Sequence, residues 1–173
     1  MVSQDIAARV TSYIQHQAAK PRDSIIELVA ASQRKYLDVV SGVSEDASIA
    51  KPAADEWSHR ELLRHVIGAQ DGVRVVMYHL ARGERPPPSD RPRGIGMMID
   101  DDGRPFAALI AELRDVNEAM LRAIRELPAD PNLEMKAPHP FFGPLNCLEW
   151  AVFQRVHDED HAQHAQKIIA AVG

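Results

Sequence analysis

Three histidines have the residue type and spacing of a metal site. His157 and His161 stand four residues apart in a segment whose apolar residues recur at helical spacing, so both imidazoles lie on one helix face. Two histidines at this spacing can share a divalent ion. His65 lies on the apolar, inward stripe of a second predicted helix and could supply a third nitrogen. Three nitrogen ligands leave positions open for water or substrate, which is typical of catalytic zinc sites.

The spacing of His157 and His161 does not by itself identify a metal site. With eight histidines in 173 residues, a pair four apart is expected about 0.4 times by chance. Buried imidazoles need polar partners, because an unpaired polar group in an apolar interior costs free energy. Ordinary core histidines with hydrogen-bond partners are therefore the alternative, and the spacing leaves it open.

Other polar residues are predicted to lie near the three histidines. Glu61 and Asp160 could orient a ligand histidine, and Glu61 could act as a base. The alternative for Glu61 is a capping box with Ser58, and the alternative for Asp160 is a solvated charge. His164 shares the face of His157 and His161, and His79 shares the face of His65. No catalytic residue is assigned.

Two glycines follow His65 on the same helix face. Gly68 and Gly72 interrupt the helical pattern, and each costs roughly 1 kcal/mol relative to alanine. They therefore indicate either close packing or space for a ligand. The second interpretation predicts a pocket beside His65.

Two other metal motifs fit this sequence less well. The zincin motif places glutamate directly after its first histidine, where this chain has Asp158. A di-iron bundle needs two E-x-x-H helices with inward carboxylates. Asp158 and His161 approximate one such pair, but Asp158 is predicted to face away from the histidine stripe.

Proline and glycine separate five predicted helices, and no stretch alternates strictly enough to predict a strand. The predicted helices cover about 4–19, 24–41, 58–81, 103–127 and 146–171. Capping boxes are predicted at Ser24/Glu27, Ser58/Glu61 and Asn146/Glu149, and a cap at Asp102. The fold class is therefore all-α, a four-helix bundle with an extra N-terminal helical segment. Residues 1–20 form the predicted extension and 21–173 the bundle domain.

The composition excludes several classes of protein. Twenty basic and 25 acidic residues give a net charge of −5, which argues against binding nucleic acid. A single cysteine excludes a disulfide framework and a Cys-rich zinc site. No segment reads as a secretory signal or a membrane span, so the predicted location is cytoplasmic, with no membrane partner.

The motifs around the three histidines resemble those of the DinB-like family. Residues 57–65, WSHRELLRH, are similar to its motif of Trp, Glu and His at the start of the second core helix. Residues 142–146, FGPLN, then Glu149 and Trp150, and then residues 157–164, HDEDHAQH, are similar to its last helix. In that family the tryptophan, the histidine eight residues later and a distant H-x-x-x-H occur together.

The resemblance implies a four-helix bundle of metalloenzymes, often homodimeric. Its three histidine ligands map to His65, His157 and His161. Zinc and nickel are the usual metals, with manganese or iron as alternatives. Characterised relatives include S-transferases and isomerases that use a low-molecular-weight thiol such as bacillithiol or mycothiol. Others are described as hydrolases.

Together these observations predict a metal-dependent hydrolase or thiol-dependent transferase that acts on a small molecule. The alternative is a non-catalytic, metal-stabilised bundle that serves as a binding or stress-related structural protein. The sequence does not identify the substrate. Residues 83–102 and 139–142 are the predicted sites of substrate specificity.

Overall fold

Four long helices form the body of the protein, as predicted. A computed structural model describes residues 4–88 and 103–172. The elements are α1 (Gln4–Ala18), α2 (Arg22–Ser41), α3 (Glu45–Ile49), α4 (His59–Ala81), α5 (Phe106–Arg125), β1 (Ala137–His139), β2 (Gly143–Leu145) and α6 (Cys147–Val172). Helices α2, α4, α5 and α6 make the bundle, and α1 packs against α6. The all-α bundle with an extra N-terminal helix is therefore confirmed, while the boundary at residue 20 stays a prediction.

The helices that carry the three histidines begin where their caps were predicted. Ser58 and Glu61 form the capping box of α4, each side chain bonding to the other residue's backbone N–H. At α6, Asn146 Oδ1 accepts from the Glu149 N–H at 3.0 Å, and Glu149 Oε2 accepts from the Asn146 N–H at 2.8 Å. These caps satisfy backbone donors that the first helical turn leaves unpaired, and they fix the register of each helix.

Two other predicted caps are not seen. The box at Ser24 and Glu27 is wrong, because α2 begins at Arg22 directly after Pro21 and has no side-chain cap. Asp102 lies outside the described residues, and Pro105 occupies the N-cap position of α5.

A short β-hairpin before α6 corrects the prediction of no strands. Ala137 pairs with Leu145 and His139 with Gly143, in antiparallel register. Gly143 has a φ of 73°, a conformation that favours glycine. Strands of three residues are too short to show the alternation on which sequence-based prediction depends.

The core consists of two clusters at opposite ends of the bundle. One cluster includes Ile14, Val29, Met77, Met120 and Val152. The other includes Tyr36, Leu63, Leu113, Ala165 and Ile168. Along α6, His157 and His161 lie between the residues of these two clusters, whereas His65 on α4 lies among residues of the second cluster.

Asp158 is buried, contrary to the expectation that it faces away from the core. Its side chain is 1% exposed, and it accepts hydrogen bonds from Gln154 Nε2 at 2.6 Å and Ser32 Oγ at 3.4 Å. The sequence-based prediction assumed that α6 has one buried face. In the structure α6 packs against both α2 and α4, and therefore has two buried faces. Burial raises the pKa of Asp158 to about 8, and the two hydrogen bonds oppose that shift.

No helix in the described ranges is both long enough and apolar enough to cross a membrane.

Candidate metal centre

The structure brings the Nε2 atoms of His65, His157 and His161 together. His157 Nε2 lies 3.1 Å from His65 Nε2 and 3.1 Å from His161 Nε2. Each residue offers a ligand nitrogen within 4.8 Å of the other two. The four-residue spacing on α6 places His157 and His161 on one face, and the capping box of α4 sets the position of His65 opposite them. The ring of His65 meets the ring of His161 edge-on, at 4.9 Å between centroids.

Hydrogen bonds between the three imidazoles cannot pair all three Nε2 atoms at once. A ring nitrogen of a neutral imidazole carries either one proton or one lone pair. His157 Nε2 can therefore complete a bond with His65 or with His161, but not with both at 3.1 Å. A divalent cation accepts lone pairs from all three nitrogens at once. The residues present therefore fit a metal ion better than an all-protein hydrogen-bond network.

The electrostatics of the centre keep the three imidazoles in the form that binds metal. Burial lowers the pKa of His65 to about 4, with a further contribution from His164. Burial lowers the pKa of His161 to about 3, assisted by His65 and His164. Burial and three neighbouring histidines hold the pKa of His157 well below its usual range. At neutral pH all three are uncharged, as ligation requires.

Asp160 does not orient a ligand histidine in this structure. Its Oδ2 lies 3.8 Å from His161 Nδ1, which is too long for a hydrogen bond, and its side chain is 78% exposed. Within residues 4–88 and 103–172, neither His157 Nδ1 nor His161 Nδ1 has a hydrogen-bond partner.

Glu61 makes the contacts of a capping residue. Its Oε2 accepts from the Ser58 N–H at 2.8 Å, and its Oε1 accepts from Lys51 Nζ at 2.7 Å. Burial tends to raise the pKa of Glu61, but the bonds from Lys51 and Ser58 outweigh it and lower the pKa. Both carboxylate oxygens are therefore engaged away from the histidine nitrogens.

The two glycines that were predicted to leave space beside His65 differ in exposure. Gly68 is half-buried and Gly72 is exposed. A Cβ added at Gly72 would meet no described atom within 4 Å, so its side of α4 is open rather than closely packed.

His79 does not join the centre, because it lies about 21 Å along the helix from His65. Its Nδ1 instead pairs with Glu84 at 2.9 Å.

Trp57 forms one wall of the centre. Its ring centroid lies 4.9 Å from that of His65, 6.5 Å from His161 and 6.0 Å from His164, the last nearly parallel. Trp57 directly precedes the N-cap Ser58, so the same cap that starts α4 holds this ring over His65. His164 contributes its ring to this wall and lies 6.2 Å from His161.

His139, which was predicted to belong to a specificity segment (139–142) and not to the metal site, approaches the centre from the hairpin. Its Nδ1 accepts the backbone N–H groups of Phe141 and Phe142 at 3.2 and 3.3 Å. Its ring lies 4.3 Å from Phe153, which in turn lies 5.7 Å from His157. The hairpin that positions this ring had no sequence signal, so the contact could not be predicted.

Comparisons with known proteins agree with this fold. The model of a family described as the DinB superfamily matches residues 28–165. A solved structure titled "Crystal structure of TT2238, a four-helix bundle protein" is similar to this chain with a TM-score of 0.63 and 20% identity. The similarity covers 85% of this chain and 99% of that one, and at this identity it supports the fold alone. A search of curated proteins found no match. The family match spans most of the chain, which therefore belongs to the DinB superfamily.

Proposed function

We propose that the protein binds one divalent metal ion through His65, His157 and His161 and uses it to catalyse a reaction of a small molecule. The observation that supports this most directly is the position of His157 Nε2, 3.1 Å from two other imidazole nitrogens that it cannot satisfy together. The reaction is a hydrolysis or the transfer of a group to a low-molecular-weight thiol.

Imidazole ligands suit zinc and nickel, and manganese or iron are the next candidates. When bound, the ion supplies Lewis acidity that makes water or a thiol a stronger nucleophile near neutral pH. A thiol of the bacillithiol or mycothiol type would be the co-substrate of the transferase.

The residues of this chain hold and shield the centre. The three histidines stay neutral because they are largely shielded from solvent and close to one another. Trp57 packs over His65 on one side, and Phe153 packs against His157 on another. These aromatic rings reduce the access of water to the centre on these two sides, which strengthens electrostatic interactions there.

A catalytic site is favoured over a closed structural one by the number of ligands. Among the described residues the cluster has three members, whereas structural zinc sites have four protein ligands. The alternative function is a non-catalytic, metal-stabilised bundle that serves as a binding or stress-related structural protein. This structural function would be favoured if a fourth residue of the protein were found to ligate the metal.

The test begins with thermal unfolding before and after chelation, followed by addition of zinc, nickel, manganese or iron. We expect chelation to lower the Tm of the wild type and one of these metals to restore it, because a ligand of the folded state stabilises that state. The His157→Ala variant should not respond to either treatment. A wild type that responds to neither would contradict metal binding.

The metal-loaded protein is then tested against ester and amide substrates, and against thiols paired with electrophiles. Turnover that requires both His157 and the metal would support an enzyme. A protein that binds metal but shows no metal-dependent turnover with any of these would favour the structural alternative.

A further inference from the structure

Two adjoining open cavities lie at the surface beside the candidate metal centre, and the one lined by His161 is called the inner cavity. The inner one, about 310 Å³, is lined by Asp55, Glu56, Trp57, His161 and His164. The outer one, about 600 Å³, is lined by Pro52, Glu56, Asp160, Gln163, His164, Lys167, Ile168 and Ala171. Because Glu56 and His164 line both cavities, we treat the two as one groove and call it the Glu56 groove.

The Glu56 groove carries more negative than positive charge. Its walls hold the carboxylates of Asp55, Glu56 and Asp160 against the single ammonium of Lys167. Neither Asp55 nor Glu56 forms an ion pair with any residue of the described part of the chain. Asp160 is 78% exposed, and its Oδ2 lies 3.8 Å from His161 Nδ1, which is beyond hydrogen-bond distance. These charges are therefore available to a molecule in the groove.

The inner wall of the groove is aromatic. Trp57 and His164 lie nearly parallel, with their ring planes 23° apart. The face of an indole attracts a cation and disfavours an anion, because its π-electrons carry a negative quadrupole. The aromatic wall and the carboxylates thus favour the same sign of charge.

The groove differs from a surface cluster of acidic residues because it reaches the metal centre. His161 lines the inner cavity, and its Nε2 is one of the three converging nitrogens. A molecule seated there would lie against His161 at one end and near the carboxylates of Glu56 and Asp160 along its length. The two ends of the groove therefore offer different chemistry.

We propose that the substrate, for the function proposed above, is a small molecule with a thiol or hydroxyl at one end and an ammonium or guanidinium group at the other. The electron-pair donor reaches the centre past His161. The cationic group lies in the Glu56 groove, over Trp57 and between the carboxylates. Glu56 and Asp160 are specificity residues in this account.

The test compares cysteamine with 3-mercaptopropionate, two thiols of similar size and opposite charge, on the cobalt-loaded full-length protein. Binding is followed by the thiolate-to-cobalt absorption band at equal thiolate concentrations. We expect cysteamine to bind about tenfold more tightly, since exposed ion pairs contribute only modest free energies, and expect added salt to reduce the difference. The Glu56→Gln/Asp160→Asn variant should lose the preference. Asp130→Asn, which neutralises an exposed carboxylate outside the groove, should retain it.

A second arm does not depend on the metal. Phenethylamine and 3-phenylpropionate are titrated into metal-free protein while tryptophan fluorescence is recorded. We expect the amine to bind more tightly, with the preference lost in the double variant. Equal or tighter binding of the anion in either arm, or an unchanged preference in the double variant, would overturn the groove assignment. Failure of cobalt to bind would count against the proposed function, and the second arm would then decide the groove separately.

Discussion

Metal-free protein should lose stability in mild acid because of the half-buried histidines His65 and His161. The pKa of His65 is about 4 and that of His161 about 3 in the folded state, against about 6.5 in the unfolded chain. Below pH 6.5 the unfolded state therefore binds protons that the folded state does not. The free energy of unfolding falls as the pH falls from 6.5 toward the folded-state values.

The magnitude follows from the size of this window. Each histidine contributes about 1.4 kcal/mol per pH unit, so between pH 6.5 and pH 5 each costs about 2 kcal/mol, and the two together about 4 kcal/mol. Asp158 acts in the opposite direction. Its folded-state pKa of about 8 exceeds its unfolded value, so the folded state retains a proton that the unfolded state loses, and stability rises as the pH falls. Over the same interval this term recovers about 2 kcal/mol.

The assay isolates the histidine contribution by comparing variants. Urea unfolding is measured at pH 7 and pH 5 after chelation, for wild type and for the His65→Gln/His161→Gln variant. We expect the wild type to lose about 4 kcal/mol more than the double variant between these two pH values. His16→Gln, which replaces an exposed histidine on α1, should behave as wild type. Equal pH slopes for the wild type and the double variant would refute the reasoning.

Three further variants test other parts of the account. Asp158→Asn should abolish the opposing pH term, so that urea unfolding of the metal-free variant shows a steeper loss of stability in acid than the wild type; an unchanged slope would mean that Asp158 is ionised in the folded state. Trp57→Ala should weaken metal affinity about tenfold, as loss of groups that orient ligands commonly does, in competition with a chelating dye; unchanged affinity would remove Trp57 from the centre. Gly72→Ala should raise stability by about 0.5–1 kcal/mol, because the added Cβ meets open space and alanine favours helix; a loss of stability would mean that this side of α4 is occupied.

Helical periodicity and capping residues were sufficient to predict the bundle. Ser58 with Glu61 and Asn146 with Glu149 are local signals, since each pair satisfies backbone donors within four residues. The pairing of His65 with His157 needed more than local information. It depended on two inward stripes belonging to helices that pack together, and the resemblance of the motifs to those of a family supplied that contact.

The features that the sequence analysis missed depend on tertiary contacts. Asp158 is buried because a second neighbour, α2, covers a face of α6 that a single wheel assigns to solvent. His139 reaches the centre only because a hairpin of two three-residue strands folds over Phe153. His79 was predicted to lie near the metal site because it shares a helix face with His65, but this prediction ignored the distance between the two residues along the helix axis. A homodimeric state and a cytoplasmic location stay predictions.

Metal content is the most direct test of the central claim. Elemental analysis of protein expressed in medium supplemented with zinc, nickel, manganese and iron, and purified without chelator, should give about one equivalent of a divalent metal per chain. His157→Ala should fold with the same helical content and carry none, while His16→Gln should match the wild type. Wild-type protein without metal, or a His157→Ala variant that retains a full equivalent, would contradict the assignment of His65, His157 and His161 as ligands.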